Sequence, residues 1–138
     1  MSDQDSEGRT KMEEEKRYLQ EMAKTRGYVL DYHKVLVAED LPFMRSLNDF
    51  LAVSYTDQRR LDRKTKELVF IAALTALGAA KDHIKTHIEV AKRHAATKEE
   101  ILELLEMLVL PCGVPKFMSA YEAWTESFTV RRVEVDQP

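Results

Sequence analysis

The stretch LDRKTKELVFIAALTALG, residues 61–78, decides the fold of this chain. Asp62 is a preferred helix N-cap residue and Gly78 follows the last apolar residue as a C-cap, so the stretch predicts one helix ending at Leu77. The run LVFIAALTAL at 68–77 is apolar on every face of that helix. We therefore expect the helix to be buried all round, either at the centre of the domain or under a partner subunit.

The chain downstream of this stretch predicts three more helices and a tail. An apolar stripe that includes Ile84 and Ile88 has helical spacing. Thr97 and Glu100 have the spacing of a capping box, which marks the start of a helix, and PCGVP at 111–115 marks a break. The expected helices cover 81–94, 97–110 and 116–128, and residues 129–138 form either an added strand or a disordered end.

The chain upstream of residue 61 also has helical periodicity. Residues 1–10, MSDQDSEGRT, are polar and small, and they predict a disordered leader. Helices are expected over 11–26, 28–38 and 42–54, the first ended by Gly27. The sequence thus predicts an all-α fold, a small multi-helix bundle that forms a single domain over residues 11–128.

Composition excludes several functional classes. The 138 residues carry 21 Lys and Arg against 24 Asp and Glu, a net charge of −3 that supplies no basic footprint for nucleic acid. Residues 1–10 lack the apolar segment of a signal peptide, and the run at 68–77 is too short to span a membrane. We expect a cytoplasmic protein with neither nucleic acid nor membrane as partner.

Two of the expected helices are more apolar than a small bundle can easily bury. These are the helices over 62–77 and 98–110. A monomer would leave part of that surface exposed, and exposed apolar patches of such size usually mark interfaces. We therefore expect a homo-oligomer.

Histidines on the helix over 81–94 are the first candidates for chemistry. At about 100° per residue, His83, His87 and His94 fall within roughly 40° of one another, at the border of the apolar stripe. They serve either as proton donors and acceptors near neutral pH or as border residues without function. His83 and His87 also have metal-ligand spacing, but no third ligand accompanies them, and we expect no metal.

Glu67 and Cys112 are the other candidates. Glu67 precedes the apolar run, where burial would raise its pKa toward a range useful for acid–base chemistry; alternatively it is a first-turn glutamate favoured by the helix dipole. Cys112 lies between two prolines and is either a reactive thiol or a small structural side chain. As the only cysteine, it excludes an internal disulfide.

Four segments between Leu61 and Phe128 carry a family resemblance. They are LDRKTKELVFIAAL at 61–74, IKTHI at 84–88, ATKEEILELL at 96–105 and CGVP at 112–115. In order and separation they resemble the core of the carboxymuconolactone decarboxylase family, which includes the alkylhydroperoxidase D proteins. VLDYHKVLVAEDLPFMRSL at 29–47 resembles the lead-in helices of shorter members. The resemblance implies an all-α protein that assembles as a trimer or hexamer.

Two chemistries follow from the resemblance. The peroxidase branch uses a CxxC motif with a relay histidine and an upstream glutamate, which correspond here to His87 and Glu67. The two cysteine positions of that motif hold Ala80 and His83. Without a thiolate there, peroxidase activity is disfavoured. The decarboxylase branch lacks the CxxC and keeps the histidine, as this chain does.

The resemblance therefore implies cofactor-free decarboxylation of 4-carboxymuconolactone or a related small lactone or carboxylate. In that reaction His87 donates or relays the proton, Glu67 tunes it, and His83 forms a second polar wall of the pocket. Such a site also needs donors for the developing anion.

The anionic end of the substrate needs a cation, for which Lys85 and Arg63 are the candidates. Cys112 is counted with these substrate-binding residues because loop 111–115 is expected to close the pocket or a subunit contact. Two alternatives stay open at this point. The chain could be a family member that acts on another small substrate, or a non-catalytic oligomeric binding protein.

Overall fold

A computed structural model describes residues 2–138, and all regular secondary structure in that range is helical, without a β-strand. The expected all-α class is confirmed. The chain divides into two compact units, residues 2–59 and 60–138, with the boundary inside the stretch 11–128 that was expected to form a single domain. The helices are α1 (Asp3–Arg26), α2 (Asp31–Glu39), α3 (Leu41–Leu51), a π-helix (Ala52–Thr56), α4 (Arg63–Leu77), α5 (Lys81–Arg93), α6 (Lys98–Cys112) and α7 (Val114–Ser127).

The first unit contains α1, α2, α3 and the π-helix, and its small core is built around Met22, Val37 and Met44. The prediction of a disordered leader over residues 1–10 is wrong for the described part, because α1 begins at Asp3. Acidic residues in the first turn stabilise α1 by their interaction with the positive end of the helix dipole. Ser2 precedes them in a capping box. Met1 lies outside the described residues.

The second unit contains α4 to α7. Helix α5 packs against both α4 and α7, and α6 packs against α7 and α4. The apolar stripe predicted on α5 consists of Ile84, Ile88, Ala91 and Ala95. The first three are completely buried, whereas Ala95 lies beyond the end of the helix and is exposed. The core that joins these four helices also includes Ile71, Leu74, Ile101, Leu105 and Trp124.

The helix ends around the site follow from local sequence. The carboxylate of Asp62 accepts a hydrogen bond from the Thr65 N–H and begins α4, and Gly78 ends the helix in the left-handed region with φ of 71°. The capping box at Thr97 is confirmed, because its hydroxyl accepts from the Glu100 N–H while the Glu100 carboxylate accepts from the Thr97 N–H.

Three details differ from the expectations. Helix α4 is not buried all round within this chain, since Val69 and Leu77 are exposed. Helix α6 continues through Pro111 to Cys112, and α7 begins directly after Gly113. A proline inside a helix removes one hydrogen bond and crowds the carbonyl four residues earlier, and α6 ends one residue after Pro111. Residues 129–138 form no strand, and Val130 packs against the core.

None of the helices within residues 2–138 is both long enough and apolar enough to cross a bilayer.

Candidate functional site

Glu67 lies inside the second unit, on the face of α4 that points into the core. The Asp62 cap sets where α4 begins, and Glu67 is followed on the same face by Ile71 and Leu74 at helical spacing. Its side chain is fully buried, with no exposed surface. A carboxylate in such a place needs charged or hydrogen-bonding partners, because burial of an isolated charge is very costly.

His87 supplies one of those partners from α5. Its Nδ1 atom lies 2.8 Å from Glu67 Oε2, and both side chains are buried. Arg63, one turn before Glu67 on α4, donates from Nε to the other carboxylate oxygen at 2.9 Å. The carboxylate therefore bridges an imidazole and a guanidinium. With Nδ1–H assigned as the donor to Glu67, His87 presents Nε2 as its acid–base nitrogen.

Two more rings surround the imidazole of His87. Phe70 stacks on it with ring centres 4.4 Å apart and an angle of 14° between the planes. His83, one turn earlier on α5, lies with its ring centre 5.3 Å away. Burial lowers the pKa of His83 below its ordinary value, and the neighbouring His87 lowers it further. His83 is therefore a neutral hydrogen-bonding side chain near neutral pH.

The structure brings Arg63, Glu67, His83 and His87 together, but it places other candidates elsewhere. Lys85 is two residues from both histidines, so its side chain leaves the opposite side of α5, where Nζ lies 3.6 Å from Glu126. Lys85 is thus removed from the group around His87.

Cys112 and His94 also lie apart from this group. Cys112 is the last residue of α6, half-buried and packed against the core. His94 is the exposed C-cap residue of α5. The expected common position of the three histidines is therefore wrong in two respects, because His94 has left the helix and His87 is fully buried rather than at the border.

Phe70 is the residue of the site that the sequence analysis missed. It follows Glu67 by three residues, so the two share a face of α4. That spacing is the signal that could have identified it. Phe70 lies in the apolar run at 68–77, and that run by itself predicted only a buried helix.

Across residues 2–138, no group of three His, Cys, Asp or Glu side chains could hold a metal ion. The chemistry that the described side chains offer is proton transfer: an imidazole fixed by a carboxylate, with an aromatic ring on its face and a neutral imidazole beside it. A buried carboxylate holding Nδ1–H fixes the tautomer and the ring orientation of the histidine.

Comparison with known proteins identifies the family of this chain. The sequence profile of the carboxymuconolactone decarboxylase family matches residues 42–126, which is more than half of the chain and includes every residue of the site. The chain belongs to this family. An uncharacterized protein of Methanocaldococcus jannaschii is 32% identical over 68 residues, a match that covers 49% of this chain and 63% of that protein. Family membership confirms the resemblance in the sequence and agrees with a protein of the decarboxylase or alkylhydroperoxidase type.

Proposed function

We propose that this protein is a cofactor-free carboxy-lyase that removes CO2 from 4-carboxymuconolactone or a related small lactone carboxylate, with His87 as the proton donor. One observation carries the proposal: the fully buried pair of His87 Nδ1 and Glu67 Oε2 at 2.8 Å. A histidine fixed in this way is poised to donate a proton from Nε2. Membership of the carboxymuconolactone decarboxylase family supports the substrate class.

The proposed reaction needs one proton and no redox partner. The bond between the ring carbon and the carboxylate carbon breaks, its electron pair moves into the lactone as an enolate-type anion, and CO2 leaves. His87 then donates its Nε2 proton to the carbon anion and is reprotonated from solvent. Glu67 holds Nδ1 by a hydrogen bond, which fixes the orientation of the ring and leaves Nε2 for the transfer.

The neighbouring residues take supporting roles in this proposal. Arg63 contacts the Glu67 carboxylate and is the cation of the group, so it is the candidate for the anionic end of the substrate. His83 is kept neutral by its lowered pKa, so it can hydrogen-bond substrate without adding charge. Phe70 covers one face of the imidazole and limits water at the reacting nitrogen.

The cysteine content favours decarboxylation over thiol-dependent peroxide reduction. The only cysteine of the sequence is Cys112, at the C-terminal end of α6. Ala80 and His83, at the N-terminal end of α5, carry no thiol at the positions that the peroxidase branch uses. A peroxidase of that type requires a thiolate that forms a sulfenic acid.

The test is turnover of 4-carboxymuconolactone and related lactone carboxylates in metal-free buffer, followed by ultraviolet absorbance and CO2 release. His87→Asn keeps an N–H donor to Glu67 but removes Nε2, and we expect it to lower kcat by roughly 10²–10⁴-fold. His94→Asn, at the exposed end of α5, and Cys112→Ser should keep wild-type activity. Absence of turnover with every lactone carboxylate, or full activity of a folded His87→Asn protein, would overturn the proposal.

A further inference from the structure

A cleft in the second unit lies among α6, α7 and the start of the C-terminal tail. Its volume is about 300 Å³, at the lower end of the range for small-ligand pockets, roughly 300–1,000 Å³. None of its lining residues belongs to the group around His87. The lining consists of Lys98, Glu99, Leu102, Tyr121, Trp124, Thr125, Val130, Arg131 and Arg132.

The charge of this cleft is opposite to that of the whole chain. Lys98, Arg131 and Arg132 face a single carboxylate, that of Glu99, while the chain has a net charge of −3. Both arginines are exposed at the surface. Local positive charge on an acidic protein attracts anions to that place, and guanidinium groups bind carboxylates through paired N–H donors.

Two aromatic side chains also line the cleft. Tyr121 and Trp124 lie one turn apart on the same face of α7. Trp124 is only 6% exposed, its indole N–H donates to the Lys98 carbonyl oxygen at 3.0 Å, and Lys98 Nζ lies 5.6 Å from the ring centre. Tyr121 is therefore the aromatic side chain that is open to a ligand, and Trp124 borders the cleft. Planar rings pack well against such side chains.

The cleft is held in shape by two lysines that fix the chain after α7. Lys92 Nζ donates to the Ser127 carbonyl oxygen at 2.6 Å, and Lys98 Nζ donates to the Thr129 carbonyl oxygen at 2.7 Å. Val130 then packs against the core directly before the two arginines. The cations are therefore carried by an anchored segment, which lowers the entropy cost of binding.

We propose that this cleft binds a small planar aromatic carboxylate, with the ring against Tyr121 and beside the buried Trp124, and the carboxylate at Arg131 and Arg132. This site is independent of the proposed lyase reaction, because the two share no residue. Trp124 is the only tryptophan of the sequence, so its fluorescence reports directly on occupancy of the cleft.

The experiment is a titration of the full chain with benzoate, followed by the fluorescence of Trp124. Benzamide, which has the same shape without charge, and acetate, which has the charge without a ring, are the ligand controls. We expect a saturable change with benzoate, at a concentration at least severalfold lower than for either control, and weaker binding at high salt.

A charge-matched pair of variants locates the site. Arg131→Ala combined with Arg132→Ala should weaken benzoate binding about tenfold. Arg9→Ala combined with Lys11→Ala removes the same charge from exposed positions of the first unit and should leave binding unchanged. A non-saturating response, equal binding of benzamide, or equal loss in both double variants would overturn the proposal. A titration altered by His87→Asn would assign the signal to the other site and also overturn it.

Discussion

Glu67 illustrates how one side chain governs the proposed site. Its carboxylate is buried between His87 and Arg63, so removing either partner weakens the compensation of a charge in a poorly solvated place. Buried charged groups of this kind lower the stability of a protein relative to an apolar core. Proteins retain them where a proton must be held at a fixed position. We therefore expect the negative charge of the Glu67 side chain to affect the function of His87 more than the shape of that side chain does.

Glu67→Gln separates charge from shape at this position. The amide can still accept a hydrogen bond, but it no longer stabilises an imidazolium at His87, so we expect kcat to fall by roughly 10²–10³-fold while substrate affinity changes little. A loss confined to kcat, with KM unchanged, distinguishes this role from a general structural defect. Glu126→Gln, in an exposed ion pair with Lys81, is the matched control. A folded variant with wild-type kcat would remove Glu67 from the mechanism.

At the scale of single helices, the ends were predictable wherever they depend on neighbours in sequence. Asp62, Gly78 and the Thr97 capping box required only short-range hydrogen bonds, and all three formed as expected. The prolines at 111 and 115 predict a break from residue 111, whereas α6 ends only at Cys112, one residue after the first of them. The polar composition of residues 1–10 likewise gave no indication that α1 begins at Asp3.

The site was predictable only in part, for a related reason. Glu67, His83 and His87 could be found because resemblance and helical spacing both indicate them. Lys85 was misplaced although its two-residue offset from the histidines already puts it across the helix. The contact between α4 and α5 that stacks Phe70 on His87 is tertiary, and periodicity within one helix does not specify which side chains of two helices meet.

A buried histidine on α2 joins the helices of the first unit. His33 accepts a hydrogen bond from the Leu30 N–H at Nδ1, and Arg26, the last residue of α1, contacts Nε2 at 2.9 Å. Arg26 also donates to Asn48 of α3. Burial, and secondarily the charge of Arg26, lower the pKa of His33 from 6.5 to about 4. The imidazole is therefore neutral in the folded protein.

This shift makes the stability of the first unit dependent on pH. Between about pH 6.5 and 4 the unfolded chain binds a proton at His33 that the folded chain does not, so the free energy of unfolding falls as pH decreases and is level above that range. The loss is at most about 3 kcal/mol. His33→Gln should remove most of this slope in urea unfolding, whereas His94→Gln should retain it. Equal slopes in wild type and His33→Gln would contradict the assignment.

At the scale of the whole molecule, the second unit exposes large apolar side chains to water on α4 and α6. Leu110 is 93% exposed and Leu77 is 79% exposed. Met107, one turn before Leu110 on α6, is also exposed. Apolar side chains of this size at neighbouring turns normally become buried in an interface. We propose that copies of the chain associate through α4 and α6 as a homo-oligomer, a trimer or hexamer.

The oligomer can be tested by placing charge on that surface. Met107→Glu combined with Leu110→Glu should disrupt an interface built on those side chains, because burial of unpaired carboxylates is strongly unfavourable, and light scattering should then give the mass of one chain. Val133→Glu combined with Val135→Glu adds the same charge at exposed apolar positions of the tail, and this variant should keep the mass of the wild type. A wild-type protein that has the mass of one chain at all concentrations would contradict the assembly. If the oligomer instead persists in the α6 variant, a different surface joins the subunits, and the exposure of Leu110 has another cause.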